Sequence, residues 1–118
     1  MRLQEKHRLR LNRQFQYVYR RGTRASNRDL SLLHVKNAQK RIGFSVSKKV
    51  GGAVERNRVK RRLREHFRRR MALLRPGFYV VVARPSAAKQ SYAQLSGGLD
   101  DLLLKMRLLE CGKEGSKS

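Results

Sequence analysis

The chain has 118 residues, 39% of them apolar, and its 30 basic and 8 acidic side chains give a net charge of +22. That length suits one compact domain, and a charge so uneven repels itself unless a polyanion neutralises it. No apolar run approaches the ~20 residues of a membrane span, the start Met1-Arg2-Leu3-Gln4-Glu5-Lys6 lacks the apolar stretch of a signal peptide, and the lone Cys111 excludes an internal disulfide or a multi-cysteine zinc site. Nucleic acid is therefore the favoured partner over an anionic membrane, and a cytoplasmic location is expected.

Residues 1–11 read as a basic, extended segment. Asn12 is a candidate N-cap for a first helix through Arg21, in which Leu11, Phe15, Val18 and Tyr19 recur at helical spacing. Gly22 ends it. Residues 30–36 predict a strand, 37–40 a turn, and 41–47 a second strand with Ile42, Phe44 and Val46 on one face and Gly43, Ser45 and Ser47 on the other. Together they read as a hairpin with one buried face. After the basic connection Lys48-Lys49-Val50-Gly51-Gly52, a helix is expected from about Ala53 to Leu74, with Val59, Leu63 and Phe67 as its apolar stripe. Pro76-Gly77 breaks the chain before a strand, 78–83, whose lack of alternation predicts burial on both faces. Ser91 and Gln94 form a capping box for a last helix with Tyr92, Leu95, Leu99, Leu102, Leu103, Met106 and Leu109 on its stripe. Gly97-Gly98 inside it cost roughly 1 kcal/mol each against alanine and make a break there plausible. The order points to an α+β fold, a two-layer sandwich of helices on a small mixed sheet. One domain spans 1–111, and an unstructured basic tail is expected over 112–118.

The informative segment is Glu55 to Arg70, where nine of sixteen residues are basic and two acidic. Asn57, Arg61, Arg64 and Arg68 gather roughly opposite the Val59/Leu63/Phe67 stripe at about 100° per residue. Like charges at i,i+4 cost a few tenths of a kcal/mol per pair, so stability alone does not explain them. Arginine presents planar, bidentate donors that suit phosphate oxygens. The competing reading is a solvated helix face, and the one-sided sign of the charge argues against it.

Arg56-Asn57-Arg58-Val59-Lys60-Arg61, preceded by Gly43-Phe44-Ser45-Val46-Ser47-Lys48-Lys49-Val50-Gly51, resembles the signature of the bacterial ribonuclease P protein subunit family. Leu9 to Phe15, Tyr19-Arg20-Arg21-Gly22 and Pro76 to Arg84 are similar to the same family's first helix and last strand. The resemblance implies a left-handed crossover between parallel strands through the basic helix, against the usual right-handed rule. It also implies a protein that binds a catalytic RNA and the 5′ leader of precursor tRNA. Contacts to the catalytic RNA would fall on Lys48, Lys49, Arg56, Asn57, Arg58, Lys60, Arg61, Arg64 and Arg68. The leader would lie in a cleft with Phe15, Tyr19, Ser45 and Arg13, by base stacking on a basic track. Ordinary core packing is the competing reading for the two rings. Many relatives carry an aromatic in the first long strand, where this chain has Leu32 and Leu33, so one stacking platform is expected to be missing.

No catalytic residues are expected in the protein. His7, His34 and His66 fall on separate elements without a carboxylate at a telling spacing, and no cofactor is expected on the protein alone. Mg2+ is expected through the RNA, where metal ions would activate the attacking water. A small ribosomal protein is the alternative that composition by itself ranks first. A DNA reader is disfavoured, because an almost uniformly arginine helix suits phosphates over base edges. A protein-only nuclease would need clustered carboxylates, and the eight acidic residues are scattered.

Overall fold

A computed structural model describes Leu9 and residues 12–109 of the chain. His7, Cys111, the expected tail over 112–118 and nearly all of the basic N-terminal segment lie outside the described residues. In chain order the elements are α1 (Asn12–Arg21), β1 (Thr23–Ser26), β2 (Leu30–Val35), β3 (Lys40–Val46), α2 (Ala53–Arg70), β4 (Gly77–Ala83) and α3 (Tyr92–Lys105). Gly22 closes α1 by donating its N–H to the Val18 carbonyl at 2.8 Å. The capping box of α3 forms as expected: Gln94 N–H donates to Ser91 Oγ at 3.2 Å, and Ser91 N–H donates to Gln94 Oε1 at 2.9 Å. Gly97 and Gly98 lie inside that helix without breaking it. Helix α2 stops at Arg70, earlier than its periodicity predicts. There the chain tightens into a short 3-10 turn, and the Met71 carbonyl accepts a hydrogen bond from Lys40 Nζ at 2.7 Å.

The strands form one mixed sheet in the order β1-β2-β4-β3, with β4 antiparallel to β2 and parallel to β3. Composition explains the central place of β4. Tyr79, Val81 and Ala83 enter the core beneath α2 and α3, while Phe78 and Val80 enter the core beneath α1. A strand apolar on both faces is stable where both are covered. The expected hairpin of 30–47 is corrected: β2 and β3 do not pair, because β4 lies between them. Sequence neighbours pair in space only about two-thirds of the time, and here the more apolar strand takes the shared position. Strand β1, which periodicity does not predict, forms the outer edge beside β2. Strand β3 is the other edge, and α2 supplies the crossover to β4.

Val59, Leu63 and Phe67 of α2 are at most 1% exposed, and they meet the Ile42/Phe44/Val46 face of β3 that alternation predicts. Phe44 packs edge-on to Phe67 at 5.9 Å between centroids. Truncating a ring buried like Phe67 costs roughly 3–5 kcal/mol. Leu95, Leu99, Leu102 and Leu103 of α3 complete this layer. On the opposite face α1 inserts Val18 against Leu33, Phe78 and Val80. One helix covers only part of that face, and the remainder stays accessible.

Candidate nucleic-acid interface

The two lysines that lead into α2 sit on a short turn held from below. Lys48 and Lys49 are exposed while Val50 is buried beneath them. Ser47 Oγ accepts the Lys49 N–H at 3.3 Å, and Gly51 closes the turn at φ 154°, a conformation open to glycine. From this turn the first half of α2 projects Asn57, Arg58 and Arg61 into solvent. Arg56 is half-buried, and its Nε has no hydrogen-bond partner among the described residues.

Lys60 and Arg64 take a different course. They line a pocket of about 300 Å³ together with Leu9, Phe15, Gly43 and Phe44, at the open edge of β3. Gly43 makes this possible, because a Cβ there would collide with the Phe15 ring. Leu9 N–H donates to the Ile42 carbonyl at 3.0 Å and ties the entering chain to the same edge. Residues expected to serve two separate contacts, Phe15 for a single strand and Lys60 and Arg64 for the folded RNA, thus share one pocket.

Tyr19, 38% exposed, follows Phe15 by one turn of α1 on the same flank. Ser45 is half-buried on the sheet face that Gly43 shares with α1, and its strand partner there is Val82. Arg13 is exposed on α1 and lies on the side turned from the sheet at about 100° per residue. It does not line the Phe15 pocket. Leu33 is buried at 1% against α1, so the aliphatic residue noted in the sequence stands on the cleft side of the sheet.

Three residues on this face were not singled out by sequence. Register sets Ser45, Val82, Ser31 and Ser26 in one row across the four strands. Ser26 Oγ and Ser31 Oγ are 2.8 Å apart, and Arg84 Nη2 donates to Ser31 Oγ at 3.1 Å. Ser31 is buried in this row, and Arg84, bonded to it, supplies charge. The signal available was the serine between Leu30 and Leu32 in an otherwise apolar strand.

Apart from Arg64 at the pocket, the far half of α2 spends its cations inside the protein. Arg62 Nη1 donates to the Gln90 carbonyl at 2.6 Å. Arg68 donates to both oxygens of Glu65, at 3.0 and 2.6 Å, and Arg69 Nε to one of them at 2.7 Å. These bonds from Arg68 and Arg69 hold the Glu65 carboxyl at about 2. Arg68, expected to face the RNA, is therefore already engaged by a carboxylate. Arg70 Nε and Nη2 grip Asp100 of α3 at 2.6 and 2.8 Å, and His66 Nε2 is 2.9 Å from the same carboxylate. Burial pushes Asp100 up, but its bonds to His66 and Arg70 outweigh that and hold its carboxyl below the ordinary value. His66 is fully buried, so this pairing latches α2 to α3 and does not face a substrate. Among the described residues no three His, Cys, Asp or Glu side chains gather as metal ligands. No helix among them is long and apolar enough to cross a membrane.

The family profile described as Ribonuclease P matches residues 3–107. The chain is 37% identical to the ribonuclease P protein component of Bacillus velezensis, over 98% of this chain and all of that one. It is 44% identical to that of Streptomyces avermitilis, over 88% and 94% of the two chains. Its fold is similar to the RNase P protein of Staphylococcus aureus (TM-score 0.83, 31% identity, 87% and 97% covered). The protein of Thermotoga maritima is also similar (TM-score 0.75, 31% identity, 83% and 96% covered). These matches decide against a ribosomal protein, and they agree with the signature of Arg56 to Arg61, the exposed arginines and the α+β sheet: the chain belongs to the bacterial ribonuclease P protein family.

Proposed function

We propose that the chain docks the first half of α2 and the Lys48-Lys49 turn on a catalytic RNA, and guides the 5′ leader of precursor tRNA along the Phe15/Tyr19 flank of α1. The observation that carries this reading is the pocket in which Phe15 adjoins Lys60 and Arg64. A ring for a base and cations for the flanking phosphates are the elements of single-strand binding. Those cations belong to α2, the helix proposed to touch the folded RNA, so the two contacts meet at this pocket. The protein would position substrate and relieve phosphate repulsion in the cytoplasm, without DNA or membrane as partner. The hydrolysis itself, with its Mg2+, belongs in this reading to the RNA.

Reconstitution tests it. Protein alone should not cleave a leadered precursor, and protein added to the catalytic RNA should rescue cleavage at low Mg2+. Tyr19→Ala should weaken precursor binding by the holoenzyme about 5- to 150-fold, the worth of one stacked base. Mature tRNA should bind as before, and Tyr19→Phe, which keeps the ring, should behave as the parent. A folded Tyr19→Ala protein that weakens precursor and mature tRNA equally would remove the leader from this flank.

A further inference from the structure

Helix α1 has a second flank. At about 100° per residue, Tyr17 and Arg21 fall on one side of the buried Val18, and Phe15 and Tyr19 on the other. Tyr17 is 39% exposed, as open as Tyr19. It does not pack into the core; with Arg21 it lines an open groove of about 1060 Å³ that rounds the end of the sheet past His34, Lys36 and Arg75. Three of the lining residues are cations and none is acidic.

The walls are held in shape. His34 Nε2 lies 3.2 Å from the Pro76 carbonyl, and its ring packs on Tyr79 at 4.7 Å. Arg75 is anchored through Nε to the Arg107 carbonyl at 2.8 Å, which leaves its terminal nitrogens for an anion. Arg20 is exposed and sits on the crest of α1 between the two flanks, about 200° from Val18. A helix with its side chains is about 10–12 Å across, so a short length of extended strand spans it.

We infer that this groove receives the upstream part of a long precursor leader. A strand stacked at Tyr19 crosses the crest at Arg20, stacks a base on Tyr17, and sets its phosphates against Arg21, Lys36 and Arg75. Charge complementarity argues for a polyanion, and an exposed ring beside those cations argues for a single strand over a duplex, whose bases are not free to stack. The inference rests on the leader reading above for the strand's arrival, and adds a contact that only a long leader can reach.

The test is holoenzyme binding to a series of precursors whose leaders grow one nucleotide at a time. Affinity should rise in two steps, and Tyr17→Ala should erase the second by about 5-fold or more while leaving the first intact. Joint replacement of Lys36 and Arg75 by alanine should lower the salt slope by about 0.7 per lost contact for long leaders only. If Tyr17→Ala leaves long-leader binding unchanged, or lowers short- and long-leader binding alike in a protein that melts normally, the groove is not a leader site. Failure of the Tyr19→Ala test with the second step intact would instead overturn the Phe15/Tyr19 assignment, so the two readings fail separately.

Discussion

The two halves of α2 carry nearly equal basic charge and use it in opposite ways. Arg56, Arg58, Lys60 and Arg61 stand before Arg62, and five arginines follow from there to Arg70. In the first half Arg58 and Arg61 are exposed and make no hydrogen bond to another described residue. In the second half Arg62, Arg68, Arg69 and Arg70 all bind acceptors of the fold itself. Arg69 also lies 6.0 Å from the Tyr92 ring centre. A guanidinium that already holds a carboxylate adds little to the field a phosphate meets, because the pair is nearly neutral. Charge count therefore overstates the interface, and the partner of each arginine decides whether it belongs to the fold or to the RNA.

The strongest way to break this contrast is at Asp100. Asp100→Ala should cost roughly 2–3 kcal/mol, because it strips charge-assisted hydrogen bonds from Arg70 and from the buried His66. Thermal melts would register it, while the salt slope of RNA binding should at most steepen slightly as Arg70 is released. Next in size, replacing Arg58 and Arg61 together by alanine should leave the melting temperature alone and lower the log–log salt slope by about 0.7–0.9 per lost phosphate contact. Destabilisation without a change in slope would reverse the assignment of the two halves. Acid should expose the second half separately. Glu65 and Asp100 have folded pKa values below the ordinary carboxylate range. Their stabilisation is complete above about pH 4.5 and is lost as pH falls through the folded values, about 2 for Glu65. Melts between pH 5 and about 2 should flatten in Asp100→Asn and in Glu65→Gln. The smallest effect is a gain. Glu65→Gln frees Arg68 and should steepen the salt slope slightly, and an unchanged slope would leave Arg68 with the fold.

Much of this was legible in the residues. The alternation of Ile42, Phe44 and Val46 identified the core face of β3, and the unbroken run of β4 predicted its two covered faces. The Ser91/Gln94 box marked the start of α3. Strand β1 escaped because Thr23-Arg24-Ala25-Ser26 has no apolar alternation, and its edge position requires none. Strand order escaped because β4 competes with β3 for the same neighbour, and periodicity does not say which wins. At the interface, the R-N-R-x-K-R pattern identified α2 but could not divide its arginines. His66 meets a carboxylate 34 residues away, beyond any local spacing. Glu65 with Arg68, by contrast, is an i,i+3 pair that the sequence already contained.

The insertion of β4 between β2 and β3 also dictates when the molecule can form. A chain emerging from the ribosome presents β2, then β3, and neither can complete its ladder until residues 77–83 arrive. Until then the nascent protein holds apolar strands with open edges and a highly cationic helix in the company of ribosomal RNA. Unpaired edges of this kind invite misassembly. Because the keystone strand is made so late, a product cut short before residue 77 has at most the β1–β2 pair and no sheet for α2 to pack on.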